Sequence, residues 1–302
     1  MATISSNIAL TKTQDYFNKI ASITQSSKDR DSVYKFVQGL YDLKLWDNIV
    51  CWILGKSHNA GVGVVAYSLG GLGNYTGLII NTSLTPFVLE QDPSIALLLE
   101  NGEILFVETV PLTDVWSNQG FISTSDKSEY ISILNGSQLL SRQNVSSGSV
   151  FKSNNTMWND TYYWLYGNAE TWSTNIQNGG SFIESNGVGL VNQMRNQTLI
   201  DSLNTSSASN NNFQFFANVT SSTTTNDYAN STLQKTRTIP AIDTNGPTEG
   251  MYSYQIGKIV GSDPNITGTM AFHWVVNNIA MTQKQINDLL HLYKTTIGKN
   301  IL

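Results

Sequence analysis

Cysteine is almost absent from this chain of 302 residues, since Cys51 stands alone. An intrachain disulfide and a cysteine-based zinc site are therefore both excluded. Cys51 lies within the apolar run Ile49–Leu54, where a free thiol behaves as a small buried hydrophobe rather than a nucleophile. Charge is scarce too: Asp, Glu, Lys and Arg make up 13% of the residues, about half the usual share. The net charge is −5 and Lys and Arg form no cluster, which argues against a nucleic-acid partner. No apolar run approaches the ~18 residues a spanning helix needs, so membrane insertion is not expected. The first dozen residues lack the charged-then-apolar plan of a secretory leader. The three histidines, His58, His273 and His291, have no second His or Cys at ligand spacing, so no metal site is expected from them. No Gly-x-Ser-x-Gly nucleophile elbow occurs either.

Amides and hydroxyls fill the space that charge leaves. Asn alone occurs 32 times, with abundant Ser and Thr. Such a surface stays soluble without strong fields and suits close packing beside identical neighbours. Eleven Asn-x-Ser/Thr sequons, Asn74, Asn81, Asn144, Asn218 and Asn265 among them, follow from that composition and are not read as glycosylation sites.

The chain is organised around Tyr67–Ile80. Gly70, Gly71, Gly73 and Asn74 separate two short apolar runs, Val62–Leu69 and Tyr75–Ile80, which reads as strand, glycine turn, strand. A phosphate loop is not expected, because the Gly-Lys-Ser/Thr ending is lacking and a strand follows rather than a helix.

Upstream, Val33, Phe36, Val37, Leu40 and Leu43 fall at helical spacing behind Ser27 and Asp29, predicting a helix over 29–44. Residues 1–28 read as an arm or short helix lying on a neighbour. Trp46–Leu54 reads as a buried first strand. Asn101-Gly102 predicts a hairpin over Ser94–Val110, with Glu100 and Glu103 solvated at its tip rather than catalytic. Asn135-Gly136 predicts a second hairpin joining Tyr130–Leu134 to Ser137–Leu140. Residues 191–212 read as a connector. Phe213–Thr220, Asp227–Ile239, Tyr252–Val260 and Thr269–Ile279 read as strands. Finally, Thr282 and Gln285 form a capping box ahead of the apolar stripe Ile286, Leu289, Leu290, Tyr293 and Ile297, with Gly298 at the helix end.

Two stretches resemble a known family. Trp46-Asp47-Asn48-Ile49-Val50-Cys51-Trp52, followed by Ser68-Leu69-Gly70-Gly71-Leu72-Gly73-Asn74-Tyr75-Thr76-Gly77-Leu78, is similar to the opening of laminin-G-like modules. The closing segment His273–Leu302, a last strand and a Thr-capped helix carrying Leu292-Tyr293, is similar to their end. The resemblance covers about a fifth of the chain. It implies a mostly β protein, an antiparallel jelly-roll β-sandwich of the concanavalin A-like kind. Residues 1–45 would form an N-terminal arm and amphipathic helix, and 46–302 the sandwich with its C-terminal helix. The version here looks most like copies in phage and other viral structural proteins. That implies a virion location, with other virion proteins and copies of itself as partners.

Residues 141–190 stand apart, rich in Ser, Asn and Gly with bunched aromatics. Trp158, Tyr162, Trp164, Tyr166 and Trp172 either line the inner faces of strands or form an exposed platform on which sugar rings stack. Calcium, found in some relatives, would draw on Asn155, Asn159 and Asp160. The Glu-x-Asp-x-x-Glu strand of the sandwich-fold laminarinases does not occur here, so no catalytic residues are expected. The leading expectation is thus a non-enzymatic virion structural protein. A glycan-binding module is the alternative, and a polysaccharide hydrolase or lyase the third reading.

Overall fold

The computed structural model describes residues 2–20, 27–55, 58, 65–80, 88–89, 92–96, 115–123, 129–133, 135–136, 139–140, 144–153, 161–167, 180–185, 189–195, 198–200, 212–238, 254–257 and 268–302. Among these, antiparallel strands build two large sheets. The first has seven strands: Ile49–Ile53, Gly268–Asn277, Val145–Ser153, Gln214–Thr220, Thr224–Ala229 and Thr232–Thr238 in spatial order, with Phe121–Ser123 also pairing to Gly268–Asn277. The second has eight, in the order Thr198–Ile200, Gly189–Arg195, Gly180–Ser185, Thr161–Gly167, Tyr254–Ile256, Tyr130–Ile133, Gly77–Ile80 and Val65–Ala66. Three helices complete the fold: α1 (Ala2–Lys19), α2 (Ser27–Asp42) and α3 (Gln283–Thr295). The protein is a β-sandwich with helical elements at both ends of the chain, as expected.

Period-two alternation explains why the first sheet can lie between two apolar layers. Ile49, Cys51 and Ile53 turn to one side and share a core with Phe36, Val37 and Leu40 of α2 and Ile286, Leu289 and Tyr293 of α3. Val50, Trp52 and Leu54 turn to the other side, against Ile131, Ile133, Tyr254 and Ile256 of the second sheet. All ten residues of Gly268–Asn277 are buried. Its register slips between Met270 and Phe272, and this bulge resets the phase. Met270 therefore joins the inter-sheet core, while Ala271, Phe272, Trp274 and Val276 meet the helices. The order of layers is helices, first sheet, second sheet.

The glycine turn forms as expected, pairing Val65 with Leu78 and Ala66 with Gly77. Gly70 adopts φ +130°, and a Cβ there would strike the Ile49 carbonyl. The segment before this turn thus lies tightly alongside the first strand, and Cys51 and Leu69 exchange backbone hydrogen bonds of 2.8 Å. The Thr282–Gln285 capping box is also present.

Several expectations are corrected. α1 lies on its own molecule, burying Ala9, Tyr16, Phe17 and Ile20 in the helix-side core. The Tyr16 hydroxyl also donates to the His58 carbonyl. Asn135 does take positive φ, but no hairpin follows. Both edges of Tyr130–Ile133 are already occupied, by Gly77–Ile80 and Tyr254–Ile256. The presumed connector over 191–212 contains strand pairing, Gln193–Arg195 against Thr198–Ile200. The single strand expected over 227–239 is a hairpin, Thr224–Ala229 and Thr232–Thr238, turned by Asn230 and Ser231 at φ 47° and 65°. Val145–Ser153, which Ser and Gly disguised, occupies the middle of the first sheet. The Asn101-Gly102 hairpin, Glu100 and Glu103 lie outside the described residues.

Candidate functional site

The inner face of the first sheet, toward the second, changes character across its width. In register, one row runs Val50, Val275, Ser147, Asn218, Asp227 and Lys235. The next runs Trp52, His273, Ser149, Phe216 and Ala229. The first row turns from apolar to polar toward the hairpin 224–238, while the second is polar only at His273 and Ser149 and ends apolar. A buried polar group costs ~1–3 kcal/mol when left unpaired, so each of these needs a partner.

Two clusters meet that need. In the first, His273 is fully buried. Its Nδ1 lies 2.9 Å from Ser149 Oγ and its Nε2 2.6 Å from the Tyr254 hydroxyl. The imidazole stacks on Trp52 at 5.5 Å and packs beside Tyr166 at 4.5 Å between ring centres. Desolvation pushes its pKa down to about 3, against a smaller opposing effect from the Gly148 backbone. Burial likewise drives the Tyr254 hydroxyl well above the ordinary tyrosine range. The Ser–His–Tyr chain looks like a proton relay, yet at neutral pH the imidazole carries no charge. It presents no surface to solvent, with Tyr254 and Tyr166 of the second sheet packed against it. As expected for His273, it is a hydrogen-bonded structural histidine.

In the second cluster, Asn218 is the hub. Its Nδ2 donates to Asp227 Oδ1 at 2.6 Å and to Thr225 Oγ1 at 2.9 Å, while its Oδ1 accepts from Thr220 Oγ1 at 3.1 Å. All four residues are buried. The amide, the carboxylate and the two hydroxyls are thus bonded to one another inside the sandwich. This cluster was not foreseen. Its signal was the polar alternation Asn218, Thr220 and Thr225, Asp227, the first pair set against Phe215, Ala217 and Val219 on the other face of their strand.

The expected aromatic site is divided. Tyr166 is 2% exposed and belongs to the inter-sheet core, its hydroxyl 2.9 Å from Ser147 Oγ. It therefore cannot serve on an exposed stacking platform. Tyr162 and Trp164 occupy the same strand, in register with Glu184 and Phe182, and a bulge separates Trp164 from Tyr166 along it. Trp158 and Trp172 lie outside the described residues, as do Asn155, Asn159 and Asp160. Among the described residues no group of three or more His, Cys, Asp or Glu could hold a metal ion. No described helix is long and apolar enough to cross a membrane.

No family model and no curated protein matches the chain. Solved structures do resemble it. Domain 4 of AbnA, a GH43 extracellular arabinanase from Geobacillus stearothermophilus solved with arabinotriose, aligns over 80% of this chain and 87% of its own length, at 14% identity and a TM-score of 0.41. The binding domain of botulinum neurotoxin serotype D aligns over 82% of this chain at 15% identity and a TM-score of 0.47. This chain spans about half of that binding domain, 52%. With TM-scores below 0.5, the fold assignment rests on the two sheets themselves.

Proposed function

We propose that this chain is a non-catalytic, carbohydrate-recognising β-sandwich module. The observation that carries the reading is the contrast between its interior and its aromatic stretch. His273 and Asp227 are buried inside the sandwich and bonded to neighbours, as in a scaffold. Within the aromatic- and amide-rich stretch 158–172, Thr161–Gly167 is a strand inside the second sheet, the layer farther from the helices. Aromatic faces bind sugar C–H surfaces, and amides pair with hydroxyls. Tyr166 holds the strand in place from within, leaving Trp158, Tyr162, Trp164 and Trp172 as the contact set.

The test is a glycan and polysaccharide array with the intact chain. Trp164→Ala and Trp172→Ala should each weaken retention about tenfold or more. Tyr166→Phe should leave it unchanged, because the buried ring is kept and the lost hydroxyl faces the interior. A folded chain that retains no glycan would sink the reading, and release of reducing ends would sink its non-catalytic part.

A second reading, that the module is a virion component docked to other virion proteins and to its own copies, draws on α1. Ile8 and Leu10 are 42% and 60% exposed there, two of three exposed large apolar side chains among the described residues. Ile8→Ser with Leu10→Ser should reduce incorporation into purified particles while leaving the fold intact; undiminished incorporation would remove the support α1 lends.

A further inference from the structure

The four sheet edges are treated unequally. At one side of the first sheet, Ile49–Ile53 is buried throughout and closed by the paired backbone bonds between Cys51 and Leu69. The edges of the second sheet are short, Val65–Ala66 and Thr198–Ile200. The remaining edge, Thr232–Thr238, is seven residues long and has no proline. Thr232, Leu233, Gln234, Thr236 and Thr238 are all exposed, and no other described strand pairs along its outer edge. Its outward N–H and C=O groups are a template for one more strand. Leu233, 45% exposed, is the third exposed large apolar side chain among the described residues.

We propose that this edge receives an extended acidic segment of another protein, added antiparallel as an eighth strand of the sheet. Charge selects the occupant. The strand carries Lys235 and Arg237 and no acid, and Asp227, in register with Lys235, offsets one of the two. A second copy laid antiparallel would bring these cations against their own equivalents, and like charges placed opposite destabilise a strand pair. A partner with acids at alternate positions meets them favourably on one face. An apolar residue at its end covers Leu233. The register slip opposite Gln234 bends the strand, which leaves Lys235–Thr238 as the straight run for pairing. Main-chain bonds would supply affinity, and the alternate side chains the choice of partner.

The experiment titrates the intact chain with a fluorescent six-residue peptide, glutamate at odd positions and threonine at even ones, with leucine in place of the last threonine so that it faces Leu233 across the slip. Two control peptides have lysine for glutamate or N-methyl groups on alternate amides. The glutamate peptide should bind at least about tenfold more tightly than either control, and Arg237→Glu should move the preference toward the lysine peptide. No binding at about 1 mM by a chain with wild-type circular dichroism overturns the proposal. Equal binding of the N-methylated peptide, or of the glutamate and lysine peptides, does so too. Self-association through this edge, seen by sedimentation in the wild type and lost in Thr236→Pro, would overturn it in favour of a second copy.

Discussion

The Tyr254 hydroxyl lies 2.6 Å from Nε2 of His273, bridging the two sheets through a side chain that burial keeps neutral. The folded-state pKa of about 3 is below the value of 6.5 for an open histidine. Between those values the unfolded chain therefore binds the extra proton. The stabilising effect is complete above pH ~6.5 and is lost as pH falls toward 3, at ~1.4 kcal/mol per pH unit. Carboxylates barely titrate above pH ~5.5, so urea midpoints between there and 6.5 report His273 together with His58, whose pKa burial also lowers. His273→Asn should reduce that slope; an unchanged slope would show that His273 does not contribute to it.

Gly148 lies under the Trp274 indole and beside the Phe216 carbonyl, with no room for a Cβ. Gly148→Ala should destabilise by ~1–3 kcal/mol through overpacking. Gly70→Ala should cost more, since its φ of +130° adds backbone strain to a clash with the Ile49 carbonyl. Thermal unfolding of both variants checks the order.

Asp227→Ala removes the acceptor that faces the Asn218 amide at 2.6 Å, inside the sandwich. The expected loss is ~1–3 kcal/mol in chemical denaturation. Asp227→Asn, which keeps the shape and an acceptor oxygen, should recover part of it. Equal losses in the two variants would mean that packing, not hydrogen bonding, is at stake.

Cys51 is fully buried, its Sγ directed at the Leu69 carbonyl at 3.3 Å, and burial pushes the thiol far above its ordinary pKa. A disulfide reagent at pH 8 should label it only at the rate of global unfolding. Fast labelling of the folded chain would mean that the first strand and the glycine turn separate readily.

The ends of the sandwich were legible because their patterns are local. Val33, Phe36, Val37 and Leu40 mark α2 at helical spacing, and Thr282 and Gln285 mark the start of α3. Ile49 to Leu54 was readable because an unbroken apolar run signals a strand buried on both faces. Val145–Ser153 was not readable. Its Ser146, Ser147, Gly148 and Ser149 are small because large neighbours press on them: Trp274 covers Gly148, Tyr166 reaches Ser147 and His273 reaches Ser149. Such a demand comes from strands distant in sequence and leaves no local period. The hairpin 224–238 was hidden for another reason, since Asn230-Ser231 reaches positive φ without glycine. The division of the aromatics was equally closed to inspection. Tyr162, Trp164 and Tyr166 share one spacing, and only the bulge in register with Ser181 and Phe182 breaks their equivalence.

The strand Gly268–Asn277 fills the gap between Ile49–Ile53 and Val145–Ser153, more than a hundred residues upstream. A nascent chain that has not yet reached Asn277 therefore carries two strands that each lack a neighbour, with Trp52 and Phe151 uncovered. Closure must wait for synthesis of this last strand, and long-range pairing of this kind is slow. Chaperone occupancy during translation, rather than the stability of the finished protein, would then set how much of it accumulates.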